Sequence, residues 1–524
     1  MSAVSEETAT ENIEMKGRKR IFTDVREINE KNVIPVLQES MLTHPFNAEQ
    51  SLFLLNYEKG VQALKRKKII RKEIDIKVCD NVANEVTDFK LGYNWGFPIM
   101  FGQRGNNDLS GNSPGIDDAG VSLFNEMLED EGMPSNDQEL ARYVEITGVG
   151  YQMVDIKNDY EGGSVFDCVT LNPLYTFIVY DSSPYHRPIM GVTFRTLKNG
   201  NTYYTCFTKD RRYEIKNMTK VINGEKKDTW GFRPRSGEKN PLGMIPIVEF
   251  IRSPDRMGCF ERQISDMDNL NILVSDFTNN VAQDTQEMWW GNDIEFPKDP
   301  ETGETRKPVG GQWVMSFSGE GKNPKIQPLV MQTQYDGILA DIKYRRDVIL
   351  QKCHVPLRSE PGGGSTGTAM SMSSGWSDAE VDACREEQLI KKSKMRLAKV
   401  MLAAIAASPD TPSDSPLLTL RISDMLPKFT RNKTYDLATK CNALATLIKT
   451  GCYGRDAFQV VDLFPDSNLV WENSKPLIEK YQASLWNKTE GVVSETENRN
   501  MSDLSDQTGN SPILGGMSGA KAVV

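Results

Sequence analysis

Residues 259–281 read CFERQISDMDNLNILVSDFTNNV. Phe260, Ile264, Met267, Leu270, Val274, Phe277 and Val281 recur at steps of four, three, three, four, three and four, one stripe of a long helix close to a heptad seam. Two readings of that stripe stand: it packs on the core of its own subunit, or against its own copy in a ring. A second helix is expected at 333–353, where Tyr335, Ile338, Leu339, Ile342, Ile349 and Leu350 mark one face and Lys343, Arg346, Asp347 and Lys352 lie off it. Between the two helices, Trp289, Trp290 and Trp313 flank a charged turn rich in Gly and Pro, which predicts a hairpin or small sheet over 285–332. Two long helices therefore bracket a small β insert.

Downstream, PGGGSTGTAMSMSSG (361–375) is a loop without a single charge. A capping box of Ser377 and Glu380 then opens a helix free of Gly and Pro until Pro409, about 31 residues or roughly 46 Å. After it come a strand, LLTLRI (417–422), the helix KTYDLATKCNALATLIKTG (433–451), and helices near 454–464 and 475–486. The tail from 488 is rich in Ser, Gly and Asn and reads as disordered.

Upstream, helical spacing is seen at 48–68, 79–94, 118–131 and 135–146, with a loop by composition at 104–118. From Gly150 to about 250, short β-branched and aromatic runs separated by turn residues read as antiparallel strands. Residues 46–258 are thus an α+β module, and polar residues 1–45 read as a flexible arm with at most local helix.

The 524-residue chain is 38% hydrophobic and carries a net charge of -10. Its low apolar content suits modules completed by packing against neighbouring subunits. The acidic balance argues against a protein that grips nucleic acid tightly, because such affinity comes from neutralising phosphates. It is compatible with DNA sliding past a surface that does not hold it. The eight cysteines form no CxxC pair, so neither a zinc site nor a disulfide framework is expected. The N-terminal residues lack a long apolar segment, and the longest apolar run, VMLAAIAA (400–407), is far short of the ~20 residues that span a bilayer. No signal peptide or membrane span is expected, and synthesis in the cytoplasm is.

Catalytic chemistry finds little to work with. There are three histidines, His44, His186 and His354. Cys353 and His354 are neighbours, whereas a nucleophile and its base normally meet through the fold. The glycine-rich loop has Thr368 where a phosphate-binding loop needs Lys after its last Gly. Asp155, Asn158 and Asp159 lack the alternating spacing of a calcium loop. Neither a catalytic residue, a metal ligand nor a cofactor is predicted.

The order of parts resembles the portal proteins of long-tailed double-stranded DNA bacteriophages. NPLGMIPIVEF (240–250) and residues 259–281 are similar to the entry and first helix of the portal stem, LNPLYTFIVYD (171–181) with RPIMGVTF to the wing strands, and GGGSTGTAMSM (362–372) to the tunnel-loop segment. The resemblance covers about 48–485. It implies an α+β portal fold with a wing (46–258), a first stem helix (259–284), a clip (285–332), a second stem helix (333–355) and a tunnel loop (356–375). A long wing helix and strand (376–430) and a mainly helical crown (431–487) would follow, ahead of the tail (488–524).

By the same resemblance, the chain is a structural subunit of a ring of about twelve at one capsid vertex of the virion. That ring would be the channel for DNA packaging and ejection. Its expected partners are other copies of itself, double-stranded DNA, the terminase motor, a head–tail adaptor, and the major capsid and scaffolding proteins. Gly362, Gly363, Gly364, Ser365, Thr366, Gly367, Thr368, Met370 and Met372 would face the channel, where uncharged residues avoid pairing with each passing phosphate. The alternative for that loop is a flexible linker. Lys343, Arg346 and Lys352 would form basic rings, or else lie solvated or paired with Asp. Trp289, Trp290 and Trp313 would form the clip interface, or the core of a small sheet. The rival assignment is a head–tail connector or scaffold without a DNA channel.

Overall fold

The β-branched and aromatic runs from residue 149 onward pair into two sheets, and helices that precede and follow them within the first 432 residues pack on them. The computed structural model describes residues 17–64, 74–103, 119–158, 160, 162–222, 225–284, 288–294, 313–317, 324–329, 335–357, 375–431 and 437–461, with 470–471, 473–478 and 480. The chain divides into two units, Met1–Asn432 and Lys433–Val524.

The first unit opens with β1 (Ile21–Thr23) and α1 (Val33–Glu58), then α2 (Val82–Asn94), β2 (Met100–Gln103), α3 (Ala119–Asp130) and α4 (Met133–Thr147). Residues 17–45 are therefore not a flexible arm. Ile21 and Thr23 alternate into the interior, and Val33, Val36 and Leu37 seat α1 on Phe177, Val179 and Val192. Pro45, a stop signal in sequence terms, lies inside α1, which hid the true start of the helix.

The larger sheet runs β1-β5-β6-β7-β8-β10, with β9 on β8: β5 (Thr176–Asp181), β6 (Pro188–Thr196), β7 (Thr202–Phe207), β8 (Arg211–Ile222), β9 (Glu225–Phe232) and β10 (Glu238–Lys239). Its strands are antiparallel except β1, which pairs parallel to β5 with Ile21 opposite Val179. The smaller sheet, β11-β3-β4, contains β3 (Val149–Ile156), β4 (Phe166–Leu171) and β11 (Ile247–Ile251). The two sheets meet at Val149, Tyr151, Ile178, Phe207, Ile245 and Ile247.

After β11 come α5 (Ile264–Asp284), the insert strands β12 (Met288–Asn292), β13 (Trp313–Ser316) and β14 (Lys325–Leu329), α6 (Tyr335–Lys352), α7 (Trp376–Ala407) and β15 (Met425–Lys428). The apolar face of α7 supplies Leu397, Met401 and Ile405 to the main core, with Phe124, Leu140, Phe166 and Phe250. Two expectations fail here. Residues 417–422 are not a strand: Ser415 and Pro416 start a tight 3-10 turn, a second follows at Ile422–Asp424, and the strand that finds a free edge, on β2, is β15. Nor does the Ser377–Glu380 box cap α7. The helix starts from Gly375 in the left-handed region at φ 85°, and Glu380 accepts from Tyr93 (2.7 Å) and Arg431 (2.8 Å) instead.

The second unit holds α8 (Leu437–Lys449) and α9 (Gly454–Val461). Gly454 lies against the Trp471 indole, where a Cβ would come within 2.1 Å of the ring.

A buried charged cluster ties α2, α4, α7 and the end of β11. Arg252 donates from Nε to Glu145 (2.9 Å) and from Nη2 to Asp382 (2.8 Å), and Lys90 reaches the same Asp382 oxygen at 2.7 Å. Glu386 accepts from Asn94 (3.0 Å) and Trp95 Nε1 (3.3 Å). Burial, and then the charge of Glu145, pushes the Glu386 carboxyl well above the usual carboxylate range. For Asp382 burial works the other way from its partners, and Arg252 and Lys90 prevail, holding it below that range. With Glu386 protonated, two cations face two carboxylates.

A raised pKa in the folded state means that the stabilising contribution of Glu386 is complete below its unfolded value of ~4.3 and is lost as pH rises through the folded value. Glu386→Gln keeps the neutral form. Thermal unfolding across pH 5–9 is expected to decline less with pH in this variant than in the native protein; parallel declines would contradict the protonation assigned here. Arg252→Met, which takes the cation from buried Glu145 and leaves Asp382 with Lys90 alone, is expected to cost about 3–5 kcal/mol by the same measurement.

Candidate functional site

The approach to α5 is held by backbone as much as by side chains. Arg252 N–H donates to Gly148 O (3.1 Å) and Cys259 N–H to Glu145 O (2.7 Å), so the segment before α5 is pinned to the C-terminal end of α4. Gly148 sits at φ 76°, and a Cβ there would meet Arg256 O at 2.5 Å; one on Gly258 would meet Ile146 O at 2.1 Å. Glu249 accepts two bonds from Arg256 (2.8 and 2.5 Å) and the hydroxyls of Tyr151 (3.0 Å) and Tyr180 (2.6 Å). Buried Glu261 pairs with buried Arg18 and accepts from Gly258 N–H at 2.8 Å.

α5 and α6 pack antiparallel. Lys352, at the end of α6, meets Asp266 at the start of α5 (2.7 Å), while Tyr335 at the start of α6 meets Phe277 edge-on with ring centroids 5.9 Å apart. Most of the α5 stripe is used within the subunit: Phe260, Met267 and Leu270 are buried with Leu54 and Tyr57 of α1, Val82 and Val86 of α2, and Ile349 and Leu350 of α6. Of the two readings of the stripe, packing on the subunit's own core accounts for this stretch. Val281 at the far end, and Leu339 and Tyr344 on α6, stay exposed.

The polar side of α5 has a role that the stripe alone does not disclose. Asn271, Ser275 and Asn279, one turn apart, bind alternate residues of the extended segment 76–80. Asn279 accepts from Ile76 N–H (2.8 Å) and donates to Ile76 O (3.1 Å); Ser275 accepts from Val78 N–H (3.0 Å); Asn271 accepts from Asp80 N–H (2.8 Å). A helix face here stands in for a neighbouring strand, satisfying main-chain groups that would otherwise need a sheet. The period-four polar stripe 271-275-279 was the available signal in the sequence.

The candidate cations separate. Arg346 pairs with Glu85 and lies 3.8 Å from Asp80; burial opposes its charge, but Asp80 and Glu85 outweigh that and keep it more firmly protonated. Lys352 is engaged by Asp266, whereas Lys343 is exposed and pairs with no carboxylate among the described residues. In the insert, β12 lies between β13 and β14, parallel to the first and antiparallel to the second, so it is a three-stranded sheet and not a simple hairpin. Trp289 stands opposite Trp313 in register. Trp290 Nε1 donates to Ser316 Oγ (3.0 Å), which donates to Asn292 (2.6 Å). Val314, Phe317 and Ile326 of this small sheet are exposed.

The loop residues Gly362, Gly363, Gly364, Ser365, Thr366, Gly367, Thr368, Met370 and Met372 lie outside the described residues. The described chain resumes close to where it stops: a Cβ on Gly375 would lie 3.7 Å from Pro356 Cα. Cys353 is buried, and burial pushes its thiol up to about 12. His44 is buried too, its Nε2 3.0 Å from Leu174 O. Among the described residues there is no cluster of His, Cys, Asp and Glu placed to hold a metal ion, and no helix long and apolar enough to cross a membrane.

A family model for phage portal proteins, SPP1 Gp6-like, matches residues 51–453. The chain belongs to that family. No curated protein matches it by sequence. The match starts inside α1 and takes in the paired helices, the three-stranded insert and α7. As a portal protein the chain is a structural component of the phage virion.

In this portal protein the ladder on α5 can be tested directly. Asn279→Ala removes both bonds to Ile76 and is expected to cost about 1–2 kcal/mol. Amide exchange in the peptide spanning 74–81 should accelerate, and unchanged protection there would show that the ladder does not hold the segment.

Proposed function

We propose that this portal protein forms a closed ring of about twelve subunits at one capsid vertex, through which double-stranded DNA is packaged and later ejected. The observation that carries the reading is the family match over a chain whose antiparallel α5–α6 pair brackets a small exposed sheet. The pair is the stem. Its unused apolar side chains, Val281, Leu339 and Tyr344, meet the next subunit, and each contact is repeated around the ring.

The sheet β12–β14 is the clip. Its exposed Val314, Phe317 and Ile326, beside Trp289, Trp290 and Trp313, suit transient docking of the terminase motor and then of a head–tail adaptor. The segment between Pro356 and Gly375 is the tunnel loop. Its two ends are fixed side by side at the base of α6 and the start of α7, and its uncharged residues give phosphates nothing to bind. Of the three candidate cations, Lys343 is the one left to face DNA, because Arg346 and Lys352 are engaged by carboxylates of their own chain. Scaffolding and major capsid proteins are the remaining partners of the assembled ring in the host cytoplasm and the virion.

Negative-stain electron microscopy with mass from light scattering tests the reading. Rings with a central hole at about twelve times the 58.9 kDa chain mass are expected. A compact dimer or tetramer, or a ring with no hole, would favour a connector or scaffold without a DNA channel. Leu339→Glu with Tyr344→Glu is expected to leave the subunit folded and shift the mass toward the monomer; unchanged rings would remove these side chains from the interface.

A further inference from the structure

Three cations converge on one tyrosine on the open face of the larger sheet. Arg195 of β6, Lys216 of β8 and Arg233 just after β9 place their charged groups 5.9, 5.5 and 5.2 Å from the centre of the Tyr203 ring. The strand register explains the row: Arg195 is opposite Tyr203, Tyr203 opposite Lys216, and Lys216 opposite Gly231. A Cβ added at Gly231 would meet nothing within 4 Å, so the row ends in open space. Further along the same face, Arg212 lies 5.5 Å over Phe207, beyond which the smaller sheet covers the surface.

The local charge is not balanced. Glu214 accepts from Arg212 (3.2 Å) and Arg233 (2.8 Å), while Arg195 and Lys216 pair with no carboxylate among the described residues. Two of the four cations thus share one carboxylate and two have none, in a chain whose net charge is -10. Tyr203 offsets part of their mutual repulsion through the negative face of its ring.

We propose that this face, centred on Arg195, Tyr203 and Lys216, is a contact site for duplex DNA that binds its phosphodiester backbone outside any central channel. Three features select that ligand. The row itself offers cations, one phenol hydroxyl and a glycine, with a single exposed aliphatic side chain, Leu197, two residues along from Arg195, whereas a protein partner would look for an apolar centre. Tyr203 is half-buried and its ring is occupied by cations, so it offers no stacking platform for an unpaired base, which favours duplex over single strand. Arg195 and Lys216 stand on strands ~10 Å apart, either side of β7, and their long flexible arms can reach phosphates of one strand. The choice of DNA as the anion rests on the portal reading; the anionic character of the ligand does not.

The test uses the full-length protein and covalently closed circular duplex DNA, which cannot thread a ring that is already closed. Binding is measured between 50 and 200 mM salt for the native chain, for Arg195→Ala with Lys216→Ala, and for Lys392→Ala with Lys399→Ala, which removes the same charge from α7. The first pair is expected to weaken binding at least tenfold at low salt and to flatten the log–log salt dependence by about 1.8, or 0.9 per lost phosphate contact. The α7 pair should bind as the native chain does, and Arg195→Lys with Lys216→Arg should retain binding. Equal loss in both alanine pairs, no binding of closed circles by the native protein, or capture of poly-glutamate in place of DNA each overturns the proposal. Ring formation is read separately by electron microscopy. A chain that binds closed circles through these residues without forming rings keeps this proposal and removes the ring reading, and rings that ignore closed circles do the reverse.

Discussion

Arg252 is where the parts of the first unit are joined. It leaves the end of β11, reaches Glu145 of α4 and Asp382 of α7 in the same plane, and leaves Lys90 of α2 to complete the charge balance. Four elements distant in sequence are thereby held at one buried point, twelve residues before α5 begins. Buried ion pairs are weak sources of net stability but demanding ones of geometry, since each partner is costly to leave alone. The direction in which α5 leaves the core is set there and at the two glycines, Gly148 and Gly258, whose missing side chains let the connecting segment lie directly on the end of α4.

From that point the chain treats the two sides of one helix differently. The apolar side of α5 closes a core with α1, α2 and α6. The polar side supports an extended stretch of main chain that belongs to no sheet. A helix used on both sides has little surface to spare, which is why the unengaged apolar groups of the pair fall on α6 and at the far end of α5. The same economy governs the cations: Arg346 and Lys352 serve the subunit itself, whereas Arg195 and Lys216 on the β6–β8 face pair with no carboxylate among the described residues.

The long periodic segments were legible in the sequence, because seven apolar residues at steps of three and four admit little besides a helix. The insert was legible too, through its tryptophans and turn residues. What escaped had competing signals. Pro45 masked the continuity of α1, and LLTLRI has strand composition but no edge to pair with. Ser377 lost its capping role because Trp376 already packs on Phe89 and Tyr93, starting α7 earlier. For the site, the apolar stripe announced α5, but neither its second partner nor the row around Tyr203 could be read from one strand at a time, since cross-strand register is a property of the fold. The carboxylates that engage Arg346 and Lys352 come from positions 85 and 266, which no local pattern links to them.

The ladder between α5 and residues 76–80 joins two rulers with different spacing. Four residues of helix advance ~6.0 Å and two residues of extended chain ~6.6 Å. Centred on Ser275, the mismatch is ~0.6 Å at the neighbouring rungs and doubles at the next, enough to carry a hydrogen bond out of range. Such a clasp cannot creep along the helix or lengthen by adding rungs. It works as a vernier: one register fits, and a helix that slid or rotated by a fraction of a turn would have to release all of it together.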